Sequence, residues 1–170
     1  MITNNNFIHL QCPDIPTIKQ VNFNGKRHYQ TPTGKLPSIT NIIHHFIPDG
    51  IKEWRESIGE DVANYIMRTS GIRGTRVHKL IDSFLYNESL GDITKEYGVM
   101  AAGLFNLMHP ALCKINNIVA IEKRIYSTDP AIMAAGTTDL VAEYEGILSI
   151  IDFKTSSKMR GQDTIDDWCI

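Results

Sequence analysis

AAGTTDLVAEYEGILSIIDFKTSSK, residues 134–158, predicts two β-strands joined by a tight turn at the Glu-Gly pair of positions 145 and 146. Strands joined by so short a turn pair antiparallel. Asp139 and Asp152 each lie six or seven residues from the turn. The pairing is therefore expected to bring these two carboxylates close together.

The end of the second strand changes from apolar to charged. Ile150 and Ile151 are expected to hold the strand in the core, and Asp152 and Lys154 follow them. Side chains two positions apart on a strand point to the same face. An acid and a base on one face form either a surface ion pair or the working edge of a site.

Further β-structure is predicted on both sides of a helical region. Residues 117–127, NIVAIEKRIYS, are predicted to form a strand that carries Glu122. Near the N-terminus, Val21–Phe23 and His28–Thr31 are predicted to form a hairpin across Asn24-Gly25.

Helical periodicity dominates the middle of the chain. Ser38 is a predicted N-cap, and the helix beginning at Ile51 is expected to bury Val62 and Ile66 and to break at Ser70-Gly71. The predicted helices cover residues 39–46, 51–70, 71–88 and 99–107, and a last one begins at Asp163. Helices followed by a three-strand meander predict an α+β fold. We divide one domain, residues 1–170, into an N-terminal extension (1–36), a helical layer (37–116) and a catalytic β-meander with the start of a helix (117–170).

Composition argues against several classes of protein. The 170 residues suit one domain, and the net charge of −2 gives no global basic field of the kind seen in many nucleic-acid binders. Three scattered cysteines lack metal-ligand or disulfide spacing and fit a reducing cytosol. No signal peptide and no apolar run of membrane-spanning length is recognised, so we expect no membrane partner.

The converging acids predict a metal. Two close carboxylates repel each other unless a cation lies between them, and their hard oxygens suit Mg²⁺ or Mn²⁺. With Lys154 beside the metal, the set suits phosphodiester hydrolysis. Each residue also has a plainer interpretation: an isolated Asp-x-Lys is usually solvated surface, Glu122 fits the wet face of an edge strand, and Asp139 fits a turn.

His78 and its neighbours are further candidates. His78 borders the apolar face of its predicted helix, where a histidine is more often structural than a ligand. Arg73 and Thr75 lie near the predicted start of this helix, and helix N-termini attract phosphate. These two residues are expected either to contact DNA or to cap the helix.

Four strings together resemble the PD-(D/E)XK nuclease superfamily, in its RecB-like exonuclease branch, and look most like the mitochondrial genome maintenance exonuclease group and its phage relatives. The strings are LPSITNII (36–43), GIRGTRVHKLIDSFL (71–85), AIEKRIYS (120–127) and residues 134–158. The resemblance implies a helical layer packed on a mixed β-sheet of the restriction-endonuclease type. It also implies a protein that works in the cytoplasm of a bacterial or phage-infected host cell.

The resemblance implies roles for individual residues. Catalytic roles fall to Lys154, Asp152, Asp139 and, less specifically, Glu122. Metal ligands would be Asp139, Asp152, the Phe153 carbonyl and His78, and DNA contacts would be Arg73, Thr75, Arg76 and Lys158.

The implied activity is a Mg²⁺- or Mn²⁺-dependent DNA exonuclease that acts on single-stranded ends or flaps in replication, repair or recombination, with replication or recombination proteins as partners. Two features of the family are missing from the sequence. The Q-x-x-x-Y motif does not follow Lys154, so we expect the first part of a nuclease without its C-terminal part. Cys12 lacks three late cysteine partners, so we expect no iron–sulfur cluster. The alternatives are a catalytically incomplete DNA-binding module of the same fold, an endonuclease of the superfamily, and a domain whose charges are only surface.

Overall fold

The computed structural model describes residues 6–46 and 50–156. The predicted helix at Asp163 and the predicted DNA contact Lys158 lie outside the described residues. Contacts divide the chain into two compact units, each described by itself below. We call residues 6–60 and 111–152 the sheet unit, and residues 61–110 and 153–156 the helical unit.

The first sheet of the sheet unit is an antiparallel meander of three strands. They are β1 (Lys19–Phe23), β2 (Lys26–Thr31) and β3 (Gly34–Pro37). The predicted hairpin across Asn24 and Gly25 is confirmed, and both turn residues have the positive φ that two-residue hairpin turns of type I′ require. β3 was not predicted, since its four residues are too few to show an alternating pattern.

The second sheet is the predicted three-strand meander. Its strands, in the order β4-β5-β6, are β4 (Ile115–Tyr126), β5 (Ala135–Tyr144) and β6 (Ile147–Ile151). The turn at Glu145 and Gly146 is confirmed, and its residues have φ values of 51° and 81°. The hydrogen bond and charge of Glu145 raise the pKa of Lys114, whose Nζ lies 2.8 Å from the Glu145 carboxylate.

The helices between the two antiparallel sheets confirm the α+β class.

The expected mixed sheet is wrong for these strands. Both sheets are antiparallel throughout, and parallel pairing among the described residues is confined to the isolated bridges His9–Ile118 and Ser38–Ala135. The reason lies in the connections. Parallel neighbours need a crossover of about a dozen residues or more, whereas only residues 127–134 separate β4 from β5.

One apolar cluster of the sheet unit joins residues of both sheets. Tyr29 and Leu36 from the first sheet cluster with Ile18 and with Ala135 of β5. The Tyr29 hydroxyl also lies 3.3 Å from the Thr137 hydroxyl of β5. The first sheet thereby supports the start of β5, the strand that carries Asp139.

Two helices complete the sheet unit, α1 (Ile39–Phe46) and α2 (Gly50–Ile58). The predicted cap of α1 is confirmed, because the Ser38 hydroxyl accepts from the Asn41 amide at 3.2 Å. The side chain of Ile39 packs against Gly136 so closely that a methyl group there would lie 3.1 Å from it. The first turn of α1 therefore packs against β5.

The central helix, α3 (Glu60–Leu85), corrects the predicted helix boundaries. The break occurs at Gly59, whose φ of 85° ends α2. The helix then continues through Gly71 without interruption, so the predicted break at Ser70-Gly71 is wrong. The two predicted helices on either side of that position are one.

The continuous helix also settles which side chains face inward. Its buried residues are Ala63, Val77, Leu80, Ile81, Phe84 and Leu85. Ala63 and Val77 are 14 residues apart, nearly four full turns, so they share a face. Ala63 is thereby turned inward, and Val62 and Ile66, predicted to be buried, are exposed.

Two further helices follow, α4 (Ile93–Tyr97) and α5 (Val99–Leu112). The helix predicted over residues 99–107 extends to Leu112, with Pro110 inside it. The rings of Phe84 on α3 and Phe105 on α5 pack edge to face with centroids 5.4 Å apart. None of the described helices is both long enough and apolar enough to cross a membrane.

The placement of β6 corrects a further expectation. Ile150 is 75% exposed and Ile151 is only half-buried, so neither holds β6 in the core as predicted. Ile151 pairs with the buried Leu140, and directly opposed residues share a face. Ile150 therefore lies on the opposite face. An unbroken apolar run does not reveal which of its residues faces inward.

Candidate functional site

Two acids face each other across β4 and β5. The pairs Ile121–Leu140 and Lys123–Thr138 flank Glu122 and Asp139, so the register places these two acids opposite each other. A carboxylate oxygen of one lies within 4.8 Å of a carboxylate oxygen of the other. Directly opposed like charges destabilise a sheet. Asp139 lies inside β5, so the alternative that it is a turn residue is wrong.

Asp152 extends this row to the third strand. The last pair of β5 and β6 is Leu140–Ile151, and the next position along each chain segment holds Asp139 and Asp152. The symmetric pairing predicted around the 145–146 turn is thus present, and Asp139 and Asp152 line one pocket. We call Glu122, Asp139 and Asp152 the acidic row.

Glu122 has an unusual backbone for a strand residue. Its φ is 47°, in the left-handed region that residues with a Cβ rarely adopt. Such a conformation costs about 1–2 kcal/mol. Strain of this size concentrates at functional sites, where the surroundings hold the residue in place. Glu122 is exposed on β4, an edge strand of its sheet, as the plainer interpretation expected, and its backbone conformation supports a functional role in addition.

The pocket beside the acidic row has a volume of about 490 Å³. Apart from Asp139 and Asp152, its wall is largely apolar and includes Ile39 and Tyr126. Thr138 also lines it, and its hydroxyl oxygen is buried with no hydrogen-bond partner among the described residues. A molecule bound in the pocket would satisfy such a group. Neither Thr138 nor the apolar wall was predicted; the only sequence signal for Thr138 is its position next to Asp139.

The residues after β6 alternate in exposure. Asp152 and Lys154 are exposed, whereas Phe153 between them is 7% exposed. The predicted alternation of the Asp-x-Lys segment is thus present, although β6 itself ends at Ile151. The local chain leaves both charged groups accessible to a ligand.

His78 contacts Phe153 within the helical unit. Its Nε2 lies 2.8 Å from the Phe153 carbonyl oxygen, and the two rings meet edge to face. A carbonyl can only accept a hydrogen bond, so Nε2 donates this one. The hydrogen bond ties α3 to the segment that carries Lys154. His78 is half-buried, in agreement with its predicted position at the border of the apolar face.

The predicted DNA-contacting residues are in the middle of α3 and not at a helix start. Arg73, Thr75 and Arg76 lie more than three turns from Glu60, so the expected N-terminal position is wrong. The reason is the unbroken passage through Gly71. Thr75 is exposed, whereas Arg73 and Arg76 line a pocket with the residues around the start of α5.

The donor set of the acidic row fits a hard divalent cation. Its side chains offer only carboxylate oxygens, the ligand type that Mg²⁺ and Mn²⁺ prefer. A cation would offset the repulsion between the opposed carboxylates of Glu122 and Asp139. The residues present therefore fit the predicted metal.

Comparison with known proteins agrees with an exonuclease relationship at a distance. No protein-family model matches the chain. It is 28% identical over 131 residues to "Mitochondrial genome maintenance exonuclease 1" of Mus musculus, a match that covers 72% of this chain and 38% of the mouse protein. It is 24% identical over 143 residues to the Homo sapiens protein of the same name, covering 78% of this chain and 40% of the human protein. The chain thus spans about two fifths of the length of these curated relatives, and their names support a likeness to an exonuclease family.

Proposed function

We propose that this chain carries the metal site of a DNA exonuclease of the PD-(D/E)XK type, which hydrolyses phosphodiester bonds at single-stranded ends or flaps in replication, repair or recombination. The observation that carries the proposal is the acidic row, in which β4, β5 and the residue directly after β6 each contribute one carboxylate at the same level of the sheet. The two mammalian relatives support the exonuclease assignment by their names.

The acidic row would hold Mg²⁺ or Mn²⁺, with Asp139 and Asp152 as the principal ligands and Glu122 as a third acid. When bound, the metal supplies a Lewis acid that polarises a phosphoryl oxygen and lowers the pKa of a coordinated water. The pocket next to the row would admit the end of a strand, since its volume lies within the usual range for ligand pockets.

Lys154 would place its ammonium beside the scissile phosphate. A fixed positive charge at this position stabilises the negative charge that develops in the transition state. Lysine suits the role because its charge is compact and its stem is flexible. The exposure of Lys154 and its position two residues after Asp152 support this assignment.

His78 and the Phe153 carbonyl are proposed as further metal ligands. Nε2 lies 2.8 Å from the carbonyl oxygen, so the two atoms are close enough together to serve as neighbouring ligands. Nε2 must lose its proton to ligate. His78 would thus give up its hydrogen bond to the Phe153 carbonyl if it held a metal.

A DNA-binding module without catalysis is the second candidate. It is favoured by Arg73 and Arg76, which line one pocket of the helical unit and would bind a phosphate group without any metal chemistry. The two candidates differ in their products. A nuclease shortens DNA in Mn²⁺, whereas a binding module retains labelled ends without shortening them.

The decisive experiment follows end-labelled linear single-stranded DNA in Mn²⁺. We expect the unaltered chain to shorten it and Lys154→Ala to lose about a hundredfold in rate, because the charge that stabilises the transition state is gone. Lys52→Ala on α2 is the charge-matched control. Full activity in Lys154→Ala would contradict the role of Lys154. Cleavage of circular single-stranded DNA would identify an endonuclease, because only that enzyme requires no end.

A further inference from the structure

A pocket of about 390 Å³ lies within the helical unit. Four residues of α3 line it: Thr69, Ile72, Arg73 and Arg76. Their spacing of three, four and seven places them on one helical face. The opposite wall is the segment from Tyr97 to Ala101. We call it the Arg73–Arg76 pocket.

The first turn of α5 forms one wall of this pocket. Its first three amides, those of Val99, Met100 and Ala101, have no partner within the helix, because an α-helix leaves its first N–H groups unpaired. Gly98 precedes the helix and has no side chain with which to cap them. The first turn of α5, with the partial positive charge of a helix N-terminus, is therefore part of the pocket wall.

Both arginines bring positive charge to the same place. Arg76 lies so close to Gly98 that a methyl group on that glycine would be 3.2 Å from its Nη1 atom. The Nε atom of Arg73 is shielded from solvent and has no hydrogen-bond partner among the described residues. A buried guanidinium nitrogen without a partner is costly, and an anion in the pocket would supply one.

The remaining wall suits a nucleotide better than a bare ion. Tyr97 contributes a half-buried aromatic ring, and Val99 and Met100 are 77% and 66% exposed. Aromatic and apolar surfaces beside a basic groove are the usual combination for single-stranded nucleic acid, since each base can stack on a ring. Arginine also binds phosphate with two parallel hydrogen bonds.

We propose that the Arg73–Arg76 pocket binds a phosphate group of the DNA strand. The identity of the strand rests on the proposed function, whereas the anion site rests on the pocket itself. The sequence analysis expected phosphate at the N-terminus of the helix that carries Arg73. The proposal instead places the phosphate at the N-terminus of α5. The arginines still come from the middle of α3, and the helix end comes from α5.

The test measures binding of a fluorescent single-stranded DNA of about 20 nucleotides in EDTA, where cleavage does not interfere. We expect Arg76→Gln to weaken binding about tenfold. The slope of log affinity against log salt should fall by about 0.7, because one phosphate is no longer neutralised. Arg76→Lys should restore part of the affinity. Lys79→Gln, an exposed charge on α3 outside the pocket wall, is the matched control and should change affinity less than about twofold.

The outcomes separate this inference from the nuclease proposal. Unchanged affinity and slope in Arg76→Gln, or an equal loss in Lys79→Gln, would overturn the pocket even if the chain cleaves DNA. Loss confined to Arg76→Gln would support it even if no cleavage occurs. Competition by millimolar inorganic phosphate that removes the difference between the unaltered chain and Arg76→Gln would place the phosphate group itself in the pocket. Arg76 is exposed, so its variants are expected to fold.

Discussion

The carboxylates of Glu122 and Asp139 approach within 4.8 Å of each other from directly opposed positions on β4 and β5. Neither residue is near the other in sequence, and the pairing opposes two negative charges. The backbone of Glu122 has a positive φ of 47°. A cation held between the two carboxylates would offset the repulsion between them.

Removal of one acid should abolish metal binding without unfolding the sheet. Asp139→Asn removes a carboxylate ligand of the proposed metal but keeps the shape of the side chain, so the variant should still fold in EDTA. At a Mn²⁺ concentration of about 100 times Kd, binding stabilises the unaltered chain by about 2.7 kcal/mol, and Asp139→Asn should lose this gain. Thermal unfolding with and without Mn²⁺ measures both effects. Glu143→Gln, another acid of β5, is the control; a Mn²⁺ response that survives in Asp139→Asn would contradict the assignment.

The backbone at Glu122 can be tested apart from its charge. Glu122→Gly and Glu122→Ala both remove the carboxylate, but only glycine adopts a φ of 47° without strain. We expect the glycine variant to be more stable than the alanine variant by about 1 kcal/mol. Chemical denaturation of the two variants gives the difference. In an ordinary strand the order is reversed, so a more stable alanine variant would show that Glu122 is unstrained.

Gly71 lies within α3, and a methyl group added to its Cα would have open space around it among the described residues. Gly71→Ala should therefore raise the free energy of unfolding by about 0.5–1 kcal/mol, because alanine loses less backbone entropy than glycine when a helix forms. Denaturant titration measures the change, and DNA cleavage should be unaffected. A decrease in stability would indicate that the helix does break at Gly71, as the sequence alone predicted.

Two apolar residues of the second sheet, Leu140 and Ile150, differ in how deeply they are buried. Leu140 is fully buried, and Leu140→Ala should cost about 2–5 kcal/mol. Ile150 is 75% exposed, so Ile150→Thr should change stability by no more than about 0.5 kcal/mol. Denaturant titration of both variants tests the assignment of faces, and a large loss in Ile150→Thr would place that side chain in a core.

The sequence predicted those structural elements that depend on only a few adjacent residues. The hairpin turns at Asn24-Gly25 and Glu145-Gly146 depend on the φ preferences of a few adjacent residues, and the Ser38 cap depends on one hydroxyl. The strand order followed from the short connections. The alignment of Asp139 with Asp152 was predictable for the same reason, because a two-residue turn sets the register of the whole hairpin.

Other features depended on competition between distant parts of the chain. Whether the helix breaks at Gly59 or Gly71 depends on which glycine adopts positive φ, and both lie in similar polar surroundings. The phase of α3, which buries Ala63 and exposes Val62, follows from the face that Val77 and its neighbours bury later in the helix. No window of sequence around Val62 contains that information.

The sequence by itself determined the three-strand meander, the register of the β5–β6 hairpin and the alignment of Asp139 with Asp152, since turns and side-chain alternation act over a few residues. Only the tertiary structure decided that Glu122 adopts a positive φ opposite Asp139, that Ile150 faces outward, and that the arginines of α3 line a pocket with the first turn of α5. Those relationships join residues far apart in the chain, and packing and charge fix them only after the chain has folded.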